Sequence, residues 1–346
     1  MSLKRRSVAV VGVAESDLGE VAAGLTPVDL MAQATMRALD DCGLALKDID
    51  GVFAAGAQSR MATLALCEYL HLRPRYQDSS FSGGSVFEAM VMHAQAAIET
   101  GLCEVALIAY GSTQRTATGG LASVRGFDPL ITPFGLRMPA SAYALAAARH
   151  MHEFGTTREQ LASVAVAARD WALLNPVAWE KEPLTVEQVL TARMVSSPLT
   201  VRDCCLVTDG GGAVILTSAE RARALKKPPV FVLGVGDAAE HLEIHSMPDL
   251  TRTATVESAR RAFGMARLGP ADVDVVELYD AFTINTILFL EDLGFCAKGE
   301  GGRFVADGRI GPGGVLPVNT NGGGLSYCHP GMYGLLLLVE AVRQLR

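Results

Sequence analysis

At 346 residues, 49% of them hydrophobic and 19% charged, the chain is long enough for one large or two ordinary domains with a substantial interior. A net charge of -7 and a pI near 5.6 argue against a nucleic-acid surface as its dominant feature. The seven cysteines are odd in number and scattered through apolar context, no His/Cys group has zinc-ligand spacing, and no apolar stretch is long enough to span a bilayer, so we expect a cytoplasmic protein with reduced thiols and no metal.

In chain order, Ser7 to Val13 reads as a first strand and Pro27 to Leu39 as an amphipathic helix after a Thr26-Pro27 start signal. Ile49 to Phe53 is a second strand, Met61 to Leu70 a second helix, and a third strand precedes Ser79. SFSGGS (Ser80 to Ser85) opens a long helix, Val86 to Thr100, which is apolar round most of its circumference and is therefore expected at the centre of the fold. Val105 to Tyr110 follows as a core strand.

Gly111 to Pro139 is a long excursion punctuated by Gly, Thr and Pro, a length associated with functional or oligomeric loops. Helices are predicted at Ala140 to Phe154, at Thr157 to Leu174 behind a Thr157-to-Gln160 capping box, and at Val186 to Ala192. Asp203 to Thr217 reads as strand, glycine turn, strand.

A charged stretch, Glu220 to Lys227, and two prolines look like a linker, after which the pattern restarts. Val230 to Val235 is a strand, Val256 to Ala266 a helix, Val273 to Leu278 a strand, Phe282 to Leu293 a helix, and Met332 to Leu345 a second central apolar helix. The fold class is therefore α/β, built as two similar halves over residues 1–220, with an insertion at about 111–195, and 228–346. The second half lacks a counterpart of the strand pair that closes the first, so a further C-terminal segment is expected.

The most reactive stretch is NTNGGGLSYCHPGMYG, Asn319 to Gly334, where three glycines precede a tyrosine, a cysteine and a histidine at the start of the last helix. It reads as a site, or more plainly as a glycine-rich loop with a structural histidine.

Together with ELYDAF (Glu277 to Phe282), TDGGGAVILT and EDLGFCAKGEGGRF, this stretch resembles the thiolase superfamily in its lipid-transfer-protein branch, associated with sterol carrier proteins. The resemblance implies a duplicated five-layer αβαβα architecture. It also implies a nucleophilic cysteine at the start of the first buried helix, an Asn or His in the second motif, a histidine before proline and a last cysteine in a C-terminal loop. Only His329 matches: the nucleophile position aligns with Gly84, between Ser82 and Ser85, and the second-motif position holds Tyr279. A glycine cannot form an acyl-enzyme.

Tyrosines in place of the thiol set, with HPGMYG retained, resemble the actinobacterial steroid side-chain-cleaving aldolases. That implies retro-aldol cleavage of a β-hydroxyacyl-CoA, namely a 17-hydroxy steroid C22 carboxyl-CoA giving a 17-ketosteroid and propionyl-CoA. In this reading His329 polarises the thioester carbonyl, Tyr279 and Tyr327 face each other and share the proton work, and Tyr333 is a spare phenol; which tyrosine is base stays open. Ser246, Gly322 and Gly323 are implied contacts of the CoA thioester, while His245 either touches the CoA arm or is a surface residue. Cys328 reads as a small buried thiol, Asp280 as a carboxylate capping the Phe282 helix, and Ser82 and Ser85 as loop caps. The resemblance further implies a homodimer flanked by two OB-fold partners carrying a zinc ribbon, with no cofactor in this chain. A non-catalytic acyl-CoA-binding scaffold and a degenerate acyl-CoA acyltransferase are the alternatives.

Overall fold

The computed structural model describes residues 3–120 and 131–346. Part of the Gly111 to Pro139 excursion, residues 121–130, thus lies outside the described residues. The elements run β1 (Val8–Glu15), α1 (Pro27–Cys42), β2 (Gly51–Ala54), α2 (Ala62–Tyr69), β3 (Tyr76–Asp78), α3 (Val86–Glu99) and β4 (Val105–Ser112). They continue with α4 (Ala140–Phe154), α5 (Arg158–Leu174), α6 (Val186–Leu190), a small hairpin of β5 (Met194–Ser196) and β6 (Leu199–Thr200), β7 (Gly210–Ser218) and α7 (Ala219–Ala222). The last part holds β8 (Val230–Phe231), α8 (Thr255–Ala266), α9 (Thr283–Asp292), α10 (Gly301–Val305) and α11 (Gly334–Gln344).

Local chemistry explains the helix starts. Thr26 accepts from the Asp29 amide while Asp29 accepts from the Thr26 amide, and Thr157 and Gln160 form the same reciprocal pair at α5.

The main sheet has the order β3-β2-β4-β7-β1-β8. β2 is parallel to β3 and β4, whereas β7 is antiparallel to both β4 and β1, so β1 to β4 all point the same way. Its side chains alternate with the two-residue period of a strand. Val8, Val10, Phe53, Ile108, Val214 and Leu216 pack on one face against α3 and α11, while Ala9, Val11, Val52, Leu107, Ala213 and Ile215 pack on the other against α1 and α2. Both helices that the sequence marks as central and apolar therefore pack on the same side of the sheet. A separate core, formed by α4, α5, α9 and α10, covers the second half.

Two expectations change. Asp203 to Thr217 holds one strand, not two: a 3₁₀ turn, Val201–Asp203, and an irregular stretch lead into β7, and the glycines lie inside that strand. A Cβ on Gly211 would sit 2.1 Å from the Tyr110 carbonyl oxygen, so these glycines let strands approach closely and do not make a turn. In the second half, β8 is short and extends the first sheet beside β1, and the Val273 to Leu278 stretch is extended but joined only by an isolated parallel bridge from Val276 to Val318. A β-rich sequence makes a strand only where a neighbour supplies the ladder.

Candidate active site

The site forms where the start of α3, the 277–282 stretch and the 319–334 loop converge. Tyr279 comes from the extended stretch before α9, and its ring packs directly on the Gly84 backbone: a Cβ there would lie 2.3 Å from the phenol oxygen and 2.6 Å from two ring carbons. The position that the family resemblance gives to a nucleophile is thus filled by a phenol, and glycine leaves the space for it.

The Tyr279 hydroxyl donates to the Gly331 carbonyl at 3.1 Å and lies 3.2 Å from His329 Nε2. A phenol has one hydrogen to give, so both contacts are hydrogen bonds only if His329 carries its proton on Nε2 and donates to the phenol oxygen. Nδ1 is then a lone pair, buried and unpartnered. Burial pushes His329 down to about 4, so the imidazole is neutral at physiological pH, and burial pushes the Tyr279 phenol well above its ordinary value.

First-half residues hold the His329 loop. Gln114 Nε2 donates to the His329 carbonyl at 2.6 Å, and the His329 amide donates to Thr208 Oγ1 at 2.9 Å. The Tyr110 hydroxyl, at the end of β4, donates to the Pro330 carbonyl and accepts from the Met332 amide.

Tyr327 goes elsewhere. Gly322 and Gly323 adopt positive φ of 104° and 63° and lead into a π-type turn, Gly323–Tyr327, that carries the tyrosine to the far side of the loop. Its hydroxyl donates to Glu15 Oε1 at 2.8 Å, and Glu15 is paired in turn with Arg343. The expected facing pair of Tyr327 and Tyr279 is not formed. The phenol beside Tyr279 and His329 is Tyr333, with ring centroids at 6.0 and 6.2 Å, and its hydroxyl donates to Asn321 Oδ1 at 2.8 Å.

The same turn moves other candidates. Gly322 and Gly323 are buried, one close against Ala172 of α5 and the other against the Asp280 carboxylate, so they serve packing and do not line the cavity. Asp280 does not cap α9, whose N-cap is Phe282; it accepts from the Gly324 amide at 2.6 Å and so fixes the glycine loop, with burial raising its carboxyl to about 7. Ser85 makes no side-chain cap on α3, though with Ser82 it lines the cavity. Ser246 is exposed at the end of a 3₁₀ turn, Ile244–Ser246; Ile244 and Met247 on either side line the cavity, whereas His245 and Ser246 do not.

A cavity of about 640 Å³ opens beside Tyr279. Its walls are the extended segments around Gly236–Ala239 and Val275–Leu278, with α8, α9 and the starts of α3 and α11. Glu88 and Glu277, two residues that sequence reasoning passed over, also line it, and each keeps one buried carboxylate oxygen without a partner. Glu277 shares the Thr320 hydroxyl, at 2.7 Å, with Glu340, at 2.6 Å. One hydroxyl hydrogen cannot serve two carboxylates, so one of these acids carries a proton, consistent with burial raising Glu277 to about 8.

No cysteine lines the cavity. Cys328 is buried against Thr208 and the Asp209 carbonyl, and burial pushes its thiol up to about 12. Among the described residues no group of three metal-ligating side chains comes together, and no helix is long and apolar enough to cross a membrane.

Comparison with known proteins places this arrangement. Residues 236–346 match the family described as Thiolase C-terminal domain-like. Over 99% of its length the chain is 38% identical to an acetyl-CoA acetyltransferase of Methanothermobacter thermautotrophicus, covering 91% of that protein. Over 98% it is 34% identical to the 17-hydroxy-3-oxo-4-pregnene-20-carboxyl-CoA lyase of Mycobacterium tuberculosis, again covering 91%. Over its whole length it is 33% identical to the steroid side-chain-cleaving aldolase of Thermomonospora curvata, covering 92%. The solved structure described as the Ltp2-ChsH2(DUF35) aldolase superposes with a TM-score of 0.90 at 31% identity, covering 99% of this chain and 90% of that one. The chain is an enzyme with the thiolase fold and belongs to the thiolase superfamily, in the sterol-carrier-protein thiolase-like branch. Within that branch it stands close to the steroid side-chain-cleaving aldolases.

Proposed function

We propose that this enzyme cleaves a β-hydroxyacyl-CoA by a retro-aldol reaction, with no acyl-cysteine intermediate, and that its substrate is a 17-hydroxy steroid bearing a C22 carboxyl-CoA side chain. The observation that carries this reading is the packing of the Tyr279 phenol on Gly84, which puts a hydrogen-bond donor where thiol chemistry would need its nucleophile. The names of two relatives support the substrate class.

A phenol whose pKa is raised is a donor and not a base. In the proposed reaction the phenol hydrogen of Tyr279 swings from the Gly331 carbonyl to the thioester oxygen, with His329 Nε2–H steadying the phenol from behind. The carbonyl is thereby polarised for the enolate that forms as the Cα–Cβ bond breaks. The hydroxyl proton leaves, its oxygen becomes the ketone, the bond electrons pass into the enolate, and a proton returns to Cα to give propionyl-CoA. We also propose that the chain works as a homodimer with a DUF35-type partner of OB fold and zinc ribbon; the superposed aldolase, which pairs with a DUF35 protein, supports the partner.

The test is to incubate the chain, with that partner, with the hydroxy-steroid thioester and follow ketosteroid and propionyl-CoA by mass spectrometry. A stable acyl adduct on the protein, or CoA binding with no ketone formed, would overturn the reading. The acetyltransferase relative raises acyl transfer as a second possibility, but the cysteine-free cavity wall does not favour it.

A further inference from the structure

The proposed reaction needs a group to take the hydroxyl proton, and neither member of the Tyr279–His329 pair suits: one holds its proton too tightly and the other is too weak a base. Glu88 stands one helical turn after Gly84 on α3, lines the same cavity as Tyr279, and makes no hydrogen bond through its buried Oε2. The space around it is built as the space around Tyr279 is built. A Cβ on Gly334, the first residue of α11, would lie 2.5 and 2.7 Å from the two Glu88 carboxylate oxygens. The Gly334 amide donates to the Gly84 carbonyl at 3.0 Å. Two adjacent glycines, joined by one hydrogen bond, thus make room for a phenol on one side and a carboxyl on the other.

We propose that Glu88 is the proton-transfer residue of this site: its carboxylate takes the substrate hydroxyl proton and, once the Cα–Cβ bond has broken, returns a proton to Cα of the enolate. The step balances without a further reactant, because a retro-aldol cleavage moves one proton from oxygen to carbon. Burial with no facing cation raises the carboxyl to about 8, near the pH at which a base is most effective. The inference rests on the retro-aldol reading.

The test uses the full chain with its DUF35-type partner and two assays. One is cleavage of the hydroxyacyl-CoA; the other is exchange of the α-hydrogen of propionyl-CoA in D₂O, which runs the carbon protonation backwards without any ketone. Glu88→Gln is expected to slow both by roughly 10²–10⁴-fold, with a melting temperature close to that of the unsubstituted chain, since the buried Oε2 has no hydrogen bond to lose. Gly334→Ala, which displaces the carboxyl without removing it, is expected to impair the exchange as well and serves if Glu88→Gln does not fold. Exchange in Glu88→Gln within threefold of the unsubstituted chain, or no exchange in the unsubstituted chain, overturns the assignment. Exchange that depends on Glu88 without any cleavage of the hydroxyacyl-CoA keeps the assignment and sinks the retro-aldol reading instead.

Discussion

Replacing Gly84 by alanine puts a methyl group 2.3 Å from the Tyr279 hydroxyl and 2.6 Å from two of its ring carbons. The ring must retreat by about 1 Å to restore an ordinary contact of roughly 3.5 Å. That movement strains the bonds to His329 Nε2 and the Gly331 carbonyl, which are already 3.2 and 3.1 Å long. Overpacking of this kind costs about 1–3 kcal/mol, and a misplacement of 1 Å at a reacting centre costs on the order of 10² in rate. Gly84 has no positive φ, so alanine adds no backbone strain to confuse the result. Thermal melts give the first quantity and ketone release the second. In a Tyr279→Ala background the clash is gone, and Gly84→Ala should then be nearly neutral to stability, which makes the coupling equal to the single-mutant cost. A Gly84→Ala protein that melts and turns over like the unsubstituted chain would refute the packing of Tyr279 on Gly84, and with it the main support for the proposed chemistry.

Tyr279→Phe keeps the ring and removes the donor, so cleavage should fall by at least about 10²-fold while CoA-thioester binding, measured by calorimetry, holds within a few fold. Tyr327→Phe breaks a hydrogen bond to Glu15 outside the cavity; it should cost about 1 kcal/mol in a denaturant melt with cleavage nearly unchanged, and a large loss of cleavage would return Tyr327 to the chemistry. Stability should also fall as pH rises from about 6.5 to 8. In the folded chain burial raises Glu88 and Glu277 from 4.5 to about 8 and Asp280 from 3.8 to about 7, so the folded state binds the extra protons, and their stabilisation is complete below the unfolded values and lost through the folded ones. His329, lowered from 6.5 to about 4, acts in the opposite sense and only between those values, where stability rises with pH. Melting temperatures that are flat or rising from pH 6.5 to 8 would contradict the burial of the three acids.

Much of the fold was legible because its signals are local. The Thr26-Pro27 start signal and the Thr157-to-Gln160 capping box set helix starts, and their largely apolar sequences marked α3 and α11 as central. Motif position put Tyr279 and His329 in one region, although the partner expected for Tyr279 was Tyr327. Tyr327 was misplaced because sequence adjacency does not say which side of a loop a residue faces, and the π-type turn after two positive-φ glycines reverses that side. Asp280 was read as a helix cap from its place before α9, yet its partner is the Gly324 amide, 44 residues later in the chain. Glu88 was passed over although a usable signal existed: an acid in the first turn of a helix that is apolar round most of its circumference has little solvent face to occupy. The strands of the second half were overcalled because composition records a preference for extended backbone, whereas a ladder depends on what lies alongside.

Tyr110, Gln114 and Thr208 come from the part of the chain before β7, yet they grip the backbone of residues 329–332 near its other end. The placement of the histidine therefore depends on side chains far away in the sequence. A substitution at any of the three would loosen His329 although its own motif is untouched. A chimera that joins the first half of one relative to the second half of another would inherit a well-placed His329 only if these three anchoring side chains travelled with the loop they hold.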